Sequence, residues 1–263
     1  MKKNKILSGV VAITALCGAT AMAQINYQNG DMLAAFGNGG SVDVVVDLGA
    51  ISNFQQPNAT GPVSFTGVDT ALQSVFGSDL TGVYWSVFGV NDTTIAHNTS
   101  VSQTDPYTIW NTLARSNPNN QTTAPFVAGS SAVQQLPALD IETIAGLTSP
   151  GAAGPGLIVN LSPNIVSVNT SLGGYSSMMN DPYSGNLQGD WTYNIQNVGP
   201  GVSDLYQSNP GNRYTQKASY LGDFSLSASG ALAFAPVPEP PIWGLLGSGL
   251  ICLIGLCRLK NRD

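Results

Sequence analysis

From residue 24 to residue 235 the chain offers almost no stretch that can become a long helix. Short runs of β-branched and aromatic residues alternate with clusters of Gly, Asn, Ser and Pro, the pattern of strands stopped by turns. Ser41–Leu48 is such a run, ends at Gly49, and places Asp43 and Asp47 on one face by its period of two. Gly82–Val90 is longer and is stopped by Asn91-Asp92. Tyr107–Trp110, Leu157–Leu161, Ile165–Val168 and Trp191–Ile195 follow, and Tyr220–Leu226 with Ala231–Phe234 reads as a hairpin across Ser227–Gly230.

Helical signals are few. Asp69–Phe76 has Asp69 as a candidate N-cap, Leu72, Val75 and Phe76 at helical spacing, and Gly77 as a stop. Asp31–Phe36 fits one helical turn or a first strand, and Gln134–Leu147 is a helix candidate broken by Pro137. Asn197–Asn212 reads as loop, as does the polar insertion Ser116–Thr123. The expected fold class is all-β: a single β-sandwich or jelly-roll-like domain over 24–235 with few short helices.

Charge narrows the function. Charged residues make up 9% of the 263, far below the roughly 25% of an ordinary soluble domain. The basic ones sit mostly at the ends. Between residues 24 and 237 only Arg115, Arg213 and Lys217 face 13 acidic residues, a body charge of −10. Binding nucleic acid needs clustered cations to neutralise phosphates, so that class is excluded, and an anionic membrane surface is an unsuitable partner for the body.

The ends carry addresses. Lys2, Lys3 and Lys5 precede the apolar, Gly-interrupted stretch Ile6–Ala21, and Ala21-Met22-Ala23 is an A-x-A site placing cleavage before Gln24. Residues 1–23 therefore read as a signal peptide for export. Cys17 follows Leu16, where a lipoprotein would have a small residue. At the other end, Pro236–Pro241 is stiff and extended, because each proline fixes φ and disfavours helix before itself. Ile242–Cys257 then runs uncharged for 16 residues, about 24 Å as a helix, slightly short of the roughly 30 Å hydrocarbon core. Arg258, Lys260 and Arg262 follow and belong on the cytoplasmic side, with Trp243 at the outer interface. Gly244 and Gly249 miss the G-x-x-x-G spacing of a dimerising span. The alternative for residues 236–263 is a plain tail anchor behind a Pro-rich linker.

The chemistry of the body is sparse. His97 is the chain's only histidine and lies in the polar stretch Asn91–Thr99, so it reads as a surface-loop residue. All three cysteines, Cys17, Cys252 and Cys257, lie in the terminal apolar runs, which leaves the body without disulfides and without a His/Cys zinc set. No G-x-S-x-G elbow occurs, and Gly37-Asn38-Gly39-Gly40 lacks the Lys-Ser/Thr of a phosphate loop. Asp43 with Asp47, or Asp140 with Glu142, are the carboxylate pairs a glycosidase would need. Asn180–Tyr183 and Gln188–Asp190 could lend oxygens to calcium, but no D-x-D-x-D-G loop is present. Trp85, Trp110 and Trp191, with Tyr84, Tyr107, Tyr175, Tyr183, Tyr193, Tyr206, Tyr214 and Tyr220, are candidates for sugar stacking and better candidates for core packing. Neither catalytic residues nor a cofactor nor a metal site is expected.

Pro238-Glu239-Pro240, a short apolar helix and a basic tail, in that order at the chain end, resemble the PEP-CTERM sorting signal of Gram-negative exported proteins. Pro241 departs from the family, which commonly has a small hydroxyl residue there, and Leu259 and Asn261 interrupt the basic tail. Gly30–Phe36 and Tyr220–Leu226 are weakly similar to openings and closings of other PEP-CTERM bodies. The resemblance implies export by the Sec machinery, transient residence in the inner membrane, and processing by an exosortase. It further implies a non-enzymatic surface or matrix protein associated with exopolysaccharide or biofilm. A secreted carbohydrate-binding module, marked by exposed coplanar aromatics, and a secreted hydrolase, marked by a cleft with paired carboxylates or with His97 beside a Ser and an Asp, remain as alternatives.

Overall fold

The computed structural model describes residues 25, 27–55, 58–59, 61–91, 107–127, 141, 144, 158–162, 164–169, 197–212 and 215–237. The signal peptide, the tail from residue 238, His97, Asp140, Glu142 and Trp191–Ile195 lie outside these residues. The described chain is mostly strand. In order, it forms β1 (Asp31–Gly37), β2 (Val42–Ala50), a 3-10 turn (Ile51–Phe54), β3 (Val63–Phe65), the helix α1 (Val68–Phe76), β4 (Tyr84–Asn91) and β5 (Thr108–Ala114). β6 (Ile158–Ser162), β7 (Ile165–Asn169), β8 (Asn197–Val198), β9 (Gly201–Ser208), β10 (Ser219–Leu226) and β11 (Leu232–Pro236) complete it.

All these strands join one antiparallel sheet, ordered β3-β11-β10-β9-β5-β4-β1-β2-β7-β6, with β8 added beside β4. The all-β expectation holds, but its layers arise from the curl of one sheet and not from two separately bonded sheets. Period-two alternation divides the side chains between two cores. Met32, Ala34 and Phe36 of β1 join Val44 and Val46 of β2, Trp85 of β4, Leu205 of β9 and Phe234 of β11 in the first. Leu33, Ala35, Val45, Phe88, Ile109 and Tyr206 face the second, which Ile25, Ile141 and Ile144 also enter. β1 is buried along its whole length because it has a core on each face.

The curl is visible in what meets inside the first core. Ile165 of β7, near one end of the sheet, shares it with Leu232 and Phe234 of β11, near the other. Helix α1 bridges the two ends. It packs on β2 and β7, while Gln73 Nε2 donates to Ser229 O in the β10–β11 turn at 2.8 Å. Phe54, Phe65, Phe224 and Phe234 fill the space below, with ring centroids 4.9–6.2 Å apart. Truncating a buried ring such as Phe224 to Ala should cost about 3–5 kcal/mol.

Several local expectations are corrected. Asp69 is not the N-cap of α1; Gly67 holds that position at φ 82° with no side-chain cap, and Asp69 lies in the first turn, where it still favours the dipole. Gly77 does stop the helix, its N–H bonded to Gln73 O. Asp31–Phe36, left open between a helical turn and a first strand, is strand. The largest difference is Asn197–Asn212, expected as loop, which supplies β8 and the central strand β9. β9 lacks β-branched residues apart from Val202 and carries Asp204 inward, so its place is fixed by tertiary pairing and not by propensity.

Candidate functional site

Among the described residues, a charged and largely buried cluster is built around an irregularity in β10. Tyr220 pairs with Tyr206, Gly222 with Leu205 and Asp223 with Asp204, so Leu221 is an extra residue against β9. This bulge puts Tyr220 and Asp223, three apart in sequence, on the same face as Tyr206 and Asp204. Gly222 makes it possible: its φ is 149°, and a side chain there would run into Ala235 O and the Phe234 ring.

Arg115, just beyond β5, reaches into this face. Its Nε donates to Asp204 Oδ1 at 2.7 Å, and its Nη2 lies 2.5 Å from the same oxygen and 3.1 Å from Asp223 Oδ2. Nη1 donates to Pro118 O at 2.9 Å. Asp204 is fully buried, and its Oδ2 accepts from both the N–H and the hydroxyl of Thr122, at 2.5 and 2.7 Å. Tyr206 donates to Thr122 O at 2.7 Å, and Tyr220 to Asp223 Oδ2 at 3.3 Å. Burial opposes the charge on Arg115, yet Asp204 and Asp223 outweigh it and raise its pKa. Burial, then the charge of Asp223, pushes the Tyr220 phenol up to about 12. Every oxygen of Asp204 is taken, so this carboxylate is spent on fastening the Ser116–Thr123 loop to the sheet and is not placed to abstract a proton.

Among the described residues, clefts open beside the sheet, two of which bear on the candidate residues. One, of about 580 Å³, opens where the sheet's ends approach, between Ser64, Phe65, Thr66 and Gly67 on one side and Ser162, Asn164 and Ile165 on the other. Asp47 is one of its lining residues, and its pKa is raised by burial, partly offset by the Gly49 N–H at 2.8 Å. Asp43 and Asp47 share a face as expected, and Asp43 is fully buried. Four residues of strand separate them by about 13 Å, beyond the roughly 5–9.5 Å between carboxylates that hydrolyse a glycoside.

The second cleft, of about 530 Å³, lies at the start of β10 and is lined by Phe54, Gln55, Gln207, Tyr220, Leu221 and Val237. Gln55 Nε2 donates to Gln207 Oε1 at 2.7 Å, and Gln207 Nε2 to Asn209 Oδ1 at 2.8 Å. Val237, the last described residue before the Pro238-Glu239-Pro240 motif, donates its N–H to Leu221 O at 3.1 Å.

Of the aromatic candidates, Trp85, Trp110 and Tyr206 are core residues, while Tyr84, Tyr107 and Tyr220 are half-buried; Trp191, Tyr175, Tyr183, Tyr193 and Tyr214 lie outside the described residues. Trp85 Nε1 donates to Gly199 O at 3.0 Å. Among the described residues no group of three or more His, Cys, Asp or Glu side chains could hold a metal ion, and no helix is long and apolar enough to cross a membrane. The signal residues Ala21 and Ala23, the motif Pro238, Glu239 and Pro240, and the basic Arg258, Lys260 and Arg262 all fall outside. Sequence reasoning missed Arg115, Asp204 and Asp223, although a body with only three basic residues marks each of them as a candidate ion-pair partner. No family model, no curated protein and no solved structure matches this chain.

Proposed function

We propose that this chain is an exported, non-enzymatic protein of the cell surface or extracellular matrix, sorted through its C-terminal signal and associated with exopolysaccharide. The observation that carries the reading is the order at the chain end: Pro238-Glu239-Pro240, then the uncharged run Ile242–Cys257, then Arg258, Lys260 and Arg262. An enzyme working at the membrane surface needs an extended substrate, and prolines supply one already ordered. Export by the Sec machinery follows from the N-terminal segment ending at Ala21 and Ala23. The apolar run serves as a handle in the inner membrane until an exosortase removes it.

The folded body supports this reading in two ways. Its strand β11 ends at Pro236, so the sorting segment follows the sheet without a long linker. Its Arg115–Asp204–Asp223 cluster is engaged internally, which suits a sandwich-like scaffold whose surface acts collectively through Asn, Gln, Ser and Thr. The test is the intact mass of the protein recovered from the native host. Export and sorting require a product that begins at Gln24 and lacks residues 242–263; a mass that includes Lys2 or the apolar run contradicts the reading.

A further inference from the structure

The sequence contains Asn-Gly twice, at Asn29-Gly30 and at Asn38-Gly39, and the fold treats the two in opposite ways. Asn-Gly is prone to lose the asparagine amide, because glycine has no side chain to keep its backbone nitrogen away from Cγ of the residue before it. Whether the reaction runs depends on whether that nitrogen is free to move.

Asn29-Gly30 is closed to it. Asn29 is 1% exposed, its Nδ2 donates to Asn91 Oδ1 at 3.4 Å, and the Gly30 N–H donates to Val90 O at 3.0 Å. Attack by the Gly30 nitrogen would break the bond that ties this turn to β4. Asn38-Gly39 lies instead in the turn between β1 and β2. Asn38, Gly39 and Gly40 are all exposed, and among the described residues no hydrogen bond holds the Gly39 N–H. The Gly40 N–H donates to Asn38 Oδ1 at 3.0 Å, so a donor already stands at the oxygen where negative charge gathers when Cγ is attacked. The turn also demands its glycines. Gly39 has φ 75°, with the Tyr84 hydroxyl 2.9 Å from where a β-carbon would stand, and a β-carbon on Gly40 would lie 2.8 Å from Asn38 Oδ1.

We propose that Asn38-Gly39 is a site of self-modification, at which the folded protein converts Asn38 to aspartate and isoaspartate with water as the only reagent. The Gly39 nitrogen attacks Asn38 Cγ and gives up its proton as the Cγ–Nδ2 bond breaks, so ammonia leaves and a succinimide ring closes. Water then opens the ring. Opening at Cγ restores the main chain with an aspartate, and opening at the backbone carbonyl leaves the chain running through Cγ as isoaspartate. Either product adds a negative charge to a body of −10, and the second lengthens the main chain by one methylene at the hairpin tip. The turn lies beyond the β1–β2 pairing, which ends at Phe36 and Val44, so the sheet accommodates both products. The converted fraction rises with time since synthesis.

The experiment is a time course on protein freshly recovered from its host, held in mildly alkaline buffer and digested with chymotrypsin at each point. Cleavage after Tyr27, Phe36 and Phe54 puts Asn29 and Asn38 on separate peptides for mass spectrometry. The Asn38 peptide should gain about one dalton, in two isomers that chromatography separates and fragmentation assigns to Asn38. The Asn29 peptide should convert about tenfold more slowly or less, since its turn must first open. In denaturant the two should convert at similar rates, because only the fold separates them. Asn38→Gln, whose longer side chain disfavours the ring, should abolish the gain and leave the thermal midpoint unchanged. Three results overturn the proposal: no gain at Asn38 while denatured protein converts, equal conversion of both sites in the folded protein, or a gain that persists in Asn38→Gln. A difference between the sites that survives denaturant overturns the role given to the fold.

Discussion

Asp204 and Asp223 stand directly opposite each other on β9 and β10, and the Arg115 guanidinium lies against both carboxylates. Like charges in such a cross-strand pair repel. Here the repulsion is overcome by a cation drawn from a body that has only three. The arrangement ties together β5, β9, β10 and the 116–123 loop.

Replacing Arg115 with Met should therefore destabilise the body by about 3–5 kcal/mol, because it leaves two carboxylates, one fully buried, without a counter-charge. The triple variant Arg115→Met/Asp204→Asn/Asp223→Asn should recover much of that loss. Denaturant midpoints of the three proteins measure it, and a single variant as stable as the parent would show that the ion pairs carry no stability.

The phenol of Tyr220 sets an alkaline limit. Its pKa of about 12 in the folded protein exceeds its ordinary value of 10, so the unfolded chain loses this proton first as pH rises. Stability from this group is complete below about pH 10 and is lost between 10 and 12. Tyr220→Phe should flatten the pH dependence in that window, as followed by the thermal midpoint against pH.

Asp47 follows the same sign at the acidic end of the scale. Burial raises its pKa, so its ionised form destabilises the fold at neutral pH, and the cost disappears as pH falls below its ordinary carboxylate range. Asp47→Asn keeps an oxygen for the Gly49 N–H while removing the charge. The variant should be more stable than the parent at pH 7 and no more stable at pH 3, measured by chemical unfolding at both.

Gly222→Ala tests the bulge. The backbone there has φ 149°, and the added methyl would collide with Ala235 O, so a loss of about 1–3 kcal/mol or more is expected. The Tyr220–Asp223 pairing should be disturbed with it, which the alkaline titration of Tyr220 would register.

How much of this was legible in the sequence differs element by element. β2, β4 and the β10–β11 hairpin announce themselves by β-branched or aromatic runs between turn residues, and the boundary at Gly77 by a helix stop. β9 does not, because Gly199-Pro200-Gly201 and Asn209-Pro210-Gly211 read as turns and Asp204 reads as exposed. An inward aspartate is tolerable only when its counter-charge is near, and Arg115 lies 89 residues away in sequence. The bulge at Leu221 is likewise invisible to a period-two reading, since it breaks that period. The Gln55–Gln207 cleft joins residues 152 apart, with no local signal at either one.

The most direct measurement concerns the tail. Alanine substitution of Pro238, Glu239 and Pro240 leaves the apolar run 242–257 and the cations Arg258, Lys260 and Arg262 intact, so membrane insertion should survive. In the native host, the parent should be recovered without residues 242–263. The substituted protein should keep them and accumulate in the inner membrane at its longer mass. If both proteins carry residues 242–263 and fractionate alike, the Pro-Glu-Pro motif is no processing signal, and the chain is a permanently anchored envelope protein.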